Sequence, residues 1–266
     1  MKNTSFIDET ALLKRQQRIA GQLLPSDHIC HEISDRLLER LDFIRINPER
    51  ILNVGWHTEY PEKKCRERYP TALLKTAHDF AAINHYDNNS FDLVIVHFAL
   101  LHSPQPQQLL AECARVLRDE GLLLFTSLGP DTLFELNNSF LSADQFFHVH
   151  PFTDMHDIGD WMRSLHFSDP VVDREEITIA YDDLNQLFKD LKSAGATNIH
   201  INRQRGLLSR QKWQKMLAHY ATLKTDDYFP ATLEIIYGHG WKVQSMQIQN
   251  KLTEEIAISV NDIKRR

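Results

Sequence analysis

The stretch Ile51-Leu-Asn-Val-Gly-Trp-His-Thr-Glu59 decides the fold. Four mostly apolar residues run into Gly55, a short polar turn follows, and Pro61-Glu62-Lys63-Lys64 has the composition of a helix start. This pattern predicts a buried parallel strand that feeds a helix, which is the first βα unit of a doubly wound sheet. Ligands of such sheets lie beyond the carboxyl ends of the strands, so the turn from Gly55 to Glu59 is predicted to line a cofactor crevice.

Two further apolar runs, Phe91-Asp-Leu-Val-Ile-Val96 and Leu122-Leu-Leu-Phe-Thr126, predict buried strands. Only 36 residues, from 56 to 91, separate Gly55 from Asp92. One βαβ unit takes roughly 30 residues or more, so a complete set of crossovers does not fit in this interval. We therefore predict an α/β, doubly wound, Rossmann-like sheet that is shortened in the middle, with residues 70–90 lacking one strand–helix pair.

The chain divides into four predicted parts: N-terminal helices over 1–45, the Rossmann-like core over 46–140, a mostly helical cap with completing strands over 141–243, and a polar tail over 244–266 that we expect to be loosely held. The net charge of −6 argues against general nucleic-acid binding. No apolar run approaches the length of a membrane span, and the first 20 residues contain no secretory signal pattern.

The three cysteines, Cys30, Cys65 and Cys113, are widely spaced and odd in number, which predicts free thiols in a reducing, cytoplasmic compartment. His28 and His31 share one face of a predicted helix. A zinc site needs further ligands at fitting spacing, and none follows, so we predict helix-surface histidines and no metal.

The order of helices, βα turn, Phe-Asp-Leu-Val strand, helix and Gly-Leu-Leu-Leu-Phe strand resembles that of class I S-adenosylmethionine-dependent methyltransferases. Later segments look like those of the malonyl-acyl-carrier-protein O-methyltransferases of biotin synthesis. These segments are Phe125–Leu136, Pro151–Gly159, Asp190–Asn198, Arg205–Arg210 and Tyr237–Trp241. The N-terminal helices and the turn Gly55-Trp-His-Thr-Glu59 are similar to those of a sister group, the respiratory complex I assembly factor, which is regarded as an arginine hydroxylase.

The resemblance implies S-adenosylmethionine as the cofactor and an acyl carrier protein, or a protein substrate, as the partner. His97, at the carboxyl end of its strand, is the candidate catalytic residue, either as a general base or as an orienting donor. The alternative for His97 is a strand-end histidine bonded to backbone. The implied cofactor-binding residues are Asn53, Gly55, His57, Thr58 and His97, and the implied substrate or partner residues are Phe152, Asp157, Tyr181, Arg205, Tyr237 and His239.

The chain also departs from the family pattern. Asn53 stands at the family's acidic position in the first strand, and Glu59 replaces the last glycine of the turn. The nearest carboxylate after the second strand, Asp79, comes five residues late for the ribose. Trp56 and Glu59 are expected to crowd the methionine moiety, and a buried, unpaired Glu59 would be costly. We therefore expect weak or absent S-adenosylmethionine binding.

Three hypotheses remain open from the sequence. The first is a methyltransferase that esterifies a carrier-bound malonyl group, whose carboxylate needs no general base. The second is a non-catalytic or assembly protein, a pseudoenzyme of the same fold, that binds a partner through the cap. The third is arginine hydroxylation, which rests on the N-terminal resemblance alone. A basic group formed by Arg203, Arg205 and Arg210 favours either an acidic carrier protein or a solvated loop.

Overall fold

The computed structural model describes residues 6–21 and 23–243, so the predicted tail over 244–266 lies outside the described residues. Its strands are β1 Arg50–Gly55, β2 Leu73–Ala77, β3 Phe91–His97, β4 Leu117–Leu128, β5 Phe167–Tyr181 and β6 Phe229–Lys242. They form one six-stranded sheet in the order β2-β1-β3-β4-β6-β5. The first four strands are parallel, and β6 runs antiparallel between β4 and β5. The predicted doubly wound α/β sheet is confirmed.

Helices cover both faces of the sheet. Their bounds are α1 Glu9–Ile19, α2 Ile29–Glu39, α3 Glu59–Arg68, α4 Phe80–Ile83, α5 Pro106–Val116, α6 Phe134–Leu141, α7 Met155–Ser164, α8 Leu184–Ser193 and α9 Arg210–Ala221. One hydrophobic core joins the sheet to α2, α6, α8 and α9, and a second joins it to α5 and α7. Because both faces are covered, β1 and β3 are nearly continuous apolar runs rather than alternating ones.

The connection between β1 and β3 is shortened, as predicted for residues 70–90. After β2, which lies at the edge of the sheet, the chain forms the single-turn helix α4 and enters β3 directly. Asp79 accepts a hydrogen bond from the backbone N–H of Ala82 at 2.9 Å and so caps this turn. Residues 70–90 therefore hold one strand and a residual helix, and one strand–helix pair is missing from this described interval.

Gly55 is required by the packing of β1 against β3. It has φ of 145°, and a Cβ built on it would lie 2.4 Å from the backbone oxygen of His97. A side chain here would push the two strands apart, whether or not a ligand is bound.

Local contacts fix several helix starts. Helix α2 is capped by His28, whose Nδ1 accepts from the Cys30 N–H at 3.2 Å. Helix α3 begins at Glu59 instead of Glu62. Helix α6 begins after Leu133, which has a left-handed φ of 57°, because the preceding residues turn back to contact β6.

Candidate functional site

A cavity of about 340 Å³ lies between the sheet and the cap. Residues that follow β1, β3 and β4 form its floor, so it opens at the carboxyl ends of these parallel strands. Side chains of α2, α6 and α8, together with residues 148–152 and 194–198, form its walls. A mostly apolar cavity at this edge is where an α/β sheet of this type binds its ligands.

Four of the sequence-predicted site residues line this cavity, namely His57, His97, Phe152 and Tyr181. They come from the β1 turn, the end of β3, the loop before α7 and the end of β5. The fold therefore brings together residues that are far apart in the sequence.

The other predicted cofactor residues support the turn from behind. The buried Asn53 donates from Nδ2 to the carbonyl oxygen of Thr58 at 3.2 Å. Thr58 is the N-cap residue of α3, and its carbonyl also accepts from the Glu62 N–H at 2.8 Å. A carboxylate at position 53 could not donate to that carbonyl, so asparagine matches this particular turn.

Trp56 forms the cavity wall on the side of β2. Its ring lies 5.3 Å from that of His78 in a stacked arrangement, and the Nδ1 atom of His78 lies 3.1 Å from the carbonyl oxygen of Gly55. Trp56 lines the cavity, and its Nε1 is buried without a hydrogen-bond partner among the described residues.

Glu59 corrects one expectation, because it is exposed and does not point into a buried site. It is the first residue of α3, where a carboxylate interacts favourably with the helix dipole. Of the two residues expected to crowd the cofactor, Trp56 lines the cavity, whereas Glu59 does not belong to its wall.

His97 is fixed by two hydroxyl groups. Its Nε2 lies 2.9 Å from Ser34 Oγ, which itself donates to the Cys30 carbonyl at 2.7 Å. Its Nδ1 lies 3.1 Å from Thr126 Oγ1, which accepts from the Phe98 N–H at 3.2 Å. The Ser34 hydroxyl proton is already used, so the ring proton is on Nε2 and Nδ1 accepts from Thr126.

Burial lowers the pKa of His97 to about 3. The ring is therefore neutral near pH 7, and it joins β3 to β4 and to α2. A general base works best with a pKa near the working pH and a free nitrogen, and this geometry offers neither. The alternative named a strand-end histidine bonded to backbone, whereas the partners of the two ring nitrogens are the hydroxyl groups of Ser34 and Thr126.

Sequence reasoning missed the far end of the cavity, where Arg15 of α1 lies. Arg15 is 5% exposed. Its guanidinium donates to the carbonyls of Thr197 at 3.1 Å and Leu101 at 3.3 Å, and to His102 Nδ1 at 2.9 Å. A signal was present, because Arg15 lies between Leu12 and Ile19 on the buried stripe of its helix.

The remaining predicted substrate residues lie outside the cavity wall. Asp157 is exposed in the first turn of α7, and His239 lies partly buried on β6. Tyr237 is fully buried beneath the guanidinium of Arg40, which lies 4.4 Å from the ring centroid. Arg205 is on the surface, 3.3 Å from Asp8.

The described residues hold no cluster of His, Cys, Asp or Glu that could bind a metal. His28 caps α2, and His31 stacks on Tyr60 with ring centroids 4.1 Å apart. Within the described ranges, no helix has the length and hydropathy of a membrane span.

Comparison with known families agrees with this architecture. A family model described as a methyltransferase domain matches residues 57–125, which run from the turn after β1 into β4. This match identifies a methyltransferase domain within the Rossmann-like sheet.

The chain is also similar to curated proteins over nearly its whole length. Malonyl-acyl-carrier-protein O-methyltransferase 1 of Coxiella burnetii is 40% identical, with 100% of both chains covered. The malonyl-acyl-carrier-protein O-methyltransferase of Laribacter hongkongensis is 39% identical, covering 91% of this chain and 92% of its own. A solved structure, the YcgJ protein of a Bacillus species, is 12% identical with a TM-score of 0.49, covering 80% of this chain and 100% of its own. The chain belongs to the malonyl-acyl-carrier-protein O-methyltransferase family, and these relatives give no support to the assembly-factor alternative.

Proposed function

We propose that this protein transfers a methyl group from S-adenosylmethionine to the free carboxylate of a malonyl group on an acyl carrier protein. The observation that carries this proposal is the mostly apolar cavity at the carboxyl ends of β1, β3 and β4, between the sheet and the cap. Membership of the family supports the choice of donor and acceptor.

The reaction needs little acid–base catalysis by the protein. When bound, S-adenosylmethionine supplies an electrophilic methyl group, whose transfer to a carboxylate oxygen leaves the carbon–sulfur electron pair on sulfur and moves no proton. A carboxylate is already ionised near neutral pH. The residues therefore have to bind, orient and exclude water, and the neutral His97, with both ring nitrogens occupied, suits such a reaction.

The residues of the cavity fit the methionyl end of S-adenosylmethionine better than its ribose. The turn after β1 and the N-terminus of α3 would hold the methionyl end, because helix N-termini favour carboxylates. Trp56, whose Nε1 has no hydrogen-bond partner among the described residues, occupies space at that end of the cavity.

The ribose side is poorer in ligands. The Thr76 hydroxyl donates to Glu62 at 3.2 Å, and Asp79 caps α4. No carboxylate near the end of β2 in the described chain is thus left for the ribose hydroxyls, and Trp56 forms the wall on that side. We infer that the donor binds weakly.

An exposed basic group suits an acidic carrier protein. Lys14 on α1, Arg203 and Arg205 surround Asp8, which lies 3.0 Å from Arg203 and 3.3 Å from Arg205. Three cations against one carboxylate leave a local charge of +2. Arg205 keeps 69% of its side chain exposed. Complementary charge of this kind acts mainly on encounter and specificity.

The proposed compartment is the cytoplasm, which the three free cysteines support. The proposed partner is a carrier protein and not a nucleic acid.

The test is to incubate the purified chain with S-adenosylmethionine and malonyl-acyl carrier protein and to look for the methyl ester by mass spectrometry. Acetyl-acyl carrier protein, which lacks the free carboxylate, is the matched control. We expect ester from the malonyl substrate alone. If the chain binds malonyl-acyl carrier protein but forms no ester at millimolar donor, the non-catalytic hypothesis replaces this one.

A further inference from the structure

Arg15 is a buried cation for which the described residues provide no carboxylate. The guanidinium is 5% exposed, and its three hydrogen-bond partners, two backbone carbonyls and an imidazole nitrogen, are all neutral. No described Asp or Glu lies within ion-pair distance of it. A buried charge without an opposite charge is costly, so its position at a cavity indicates an anionic ligand.

Unpartnered polar atoms occur at the same end of the cavity. Arg15 Nε and His150 Nδ1 are both buried without a hydrogen-bond partner among the described residues. Both residues line the cavity, and the charge of Arg15 contributes to lowering the pKa of His150, which burial lowers most. Two unsatisfied groups in one apolar cavity are explained by a ligand that brings polar atoms.

His102 extends this polar end. A guanidinium can only donate, so the Nδ1 atom of His102 accepts from Arg15 and the ring proton is on Nε2. Arg15, His102 and His150 are the residues that we call the Arg15 subsite.

A second charged residue, Asp190, lines another part of the wall. Its Oδ1 accepts from Gln186 Nε2 at 2.8 Å, and it neighbours His28 and Tyr181. The neighbours of Asp190 therefore belong to α2, α8 and β5. Because Asp190 and Arg15 contact different groups, Asp190 does not neutralise the Arg15 guanidinium, which therefore favours an anionic ligand.

We propose that the Arg15 subsite binds the carboxylate of the acceptor substrate and so distinguishes a malonyl thioester from an uncharged acyl thioester. This inference rests on the proposed function for the identity of the anion. Arg15 contacts the backbone of Leu101, just after β3, whereas the methionyl carboxylate is expected at the β1 turn. The acceptor carboxylate and the methionyl carboxylate thus have separate binding positions in the cavity. The methyl ester is uncharged, so the subsite holds substrate more strongly than product.

The experiment measures binding without turnover. Calorimetry compares S-malonyl-N-acetylcysteamine with S-acetyl-N-acetylcysteamine, in the absence of a methyl donor, for wild type, Arg15→Gln, Arg15→Lys and the control Arg18→Gln. Arg18 is exposed on the same helix. We expect wild type and the control to prefer the malonyl probe by about tenfold or more, since hydrogen bonds to charged groups are the strong ones. Arg15→Gln abolishes this preference and leaves acetyl binding within about twofold.

Arg15→Lys is expected to retain part of the preference, because it keeps the charge and loses the planar fork. The proposal is overturned if wild type binds both probes equally, a result that needs no variant, or if folded Arg15→Gln keeps the wild-type preference. If wild type prefers the malonyl probe yet forms no methyl ester on the carrier protein, the subsite stands and the proposed function fails.

Discussion

The two ends of the cavity differ in how their polar groups are used. At the β1 turn, Asn53 and His78 are hydrogen-bonded within the protein, and Trp56 packs against His78. At the opposite end, Arg15 and His150 have buried atoms that no described residue satisfies. The β1 end also has buried atoms without a described partner, Asn53 Oδ1 and Trp56 Nε1, but both belong to uncharged side chains, whereas Arg15 at the second end is a cation. From this comparison we propose that the second end binds an anion and that the donor end binds its ligand weakly.

The strongest perturbation of the donor end is Gly55→Ala. The new Cβ meets the His97 carbonyl at 2.4 Å, and the backbone has positive φ. We expect a loss of about 3 kcal/mol in the free energy of unfolding without any ligand, measured by urea denaturation. Gly206→Ala is the matched control, because a Cβ there meets nothing within 4 Å. Equal stability of the two variants would show that Gly55 is not held by packing.

A pH titration of stability tests the neutral state of His97. Its pKa falls from the ordinary histidine value of 6.5 to about 3 on folding, so between these values the unfolded chain binds more protons and stability rises with pH. Taking the protein from pH 7 to pH 5 should cost up to about 2 kcal/mol from this histidine. His97→Gln should flatten this slope, and His85→Gln, at an exposed histidine, should not. An unchanged slope in His97→Gln would contradict a buried neutral ring.

Sequence patterns predicted the doubly wound sheet and the strand–helix pair that is missing between β1 and β3. The apolar runs of β1 and β3 and the short interval between them depend on local composition and length, which the sequence displays directly. The hydrogen bonds of His97 depend on Ser34 and Thr126, which are 63 and 29 residues away, and no local pattern reports them.

The Arg15 subsite was missed for a related reason. A charged residue on a helix is usually a surface residue, and its burial follows from contacts with residues 101, 102 and 197 across the fold. Conversely, packing explains part of the segment Tyr237–Trp241, which was singled out by its resemblance to the family. A Cβ on Gly238 would lie 2.1 Å from the Phe125 ring, so this glycine is needed for packing.

Truncating Trp56, which forms the cavity wall on the side of β2, tests the difference between the two ends of the cavity. Trp56→Ala should strengthen S-adenosylmethionine binding by about threefold, equivalent to about 0.65 kcal/mol, because the indole occupies space beside the donor end. It should leave the malonyl probe unaffected. Calorimetry with both ligands measures the two effects. Weaker donor binding would show that the indole is a contact and not an obstruction.

The smallest expected effect concerns the carrier protein. Arg205→Glu should weaken binding of malonyl-acyl carrier protein by about twofold at low salt and by less at high salt, since exposed charges are screened. Stability should change by no more than about 0.5 kcal/mol. Arg163→Glu, an exposed arginine on α7, is the charge-matched control. Equal losses in both variants, or none, would remove the basic group around Asp8 as a docking surface.

The difference between the two ends is tested most directly by titrating the wild-type chain with S-adenosylmethionine in a calorimeter. The reduced donor end predicts a dissociation constant above about 100 μM, equivalent to less than about 5.5 kcal/mol of binding free energy. A dissociation constant of about 1–10 μM would contradict the account, because it would require a complete donor site that the residues of β1 and β2 do not provide.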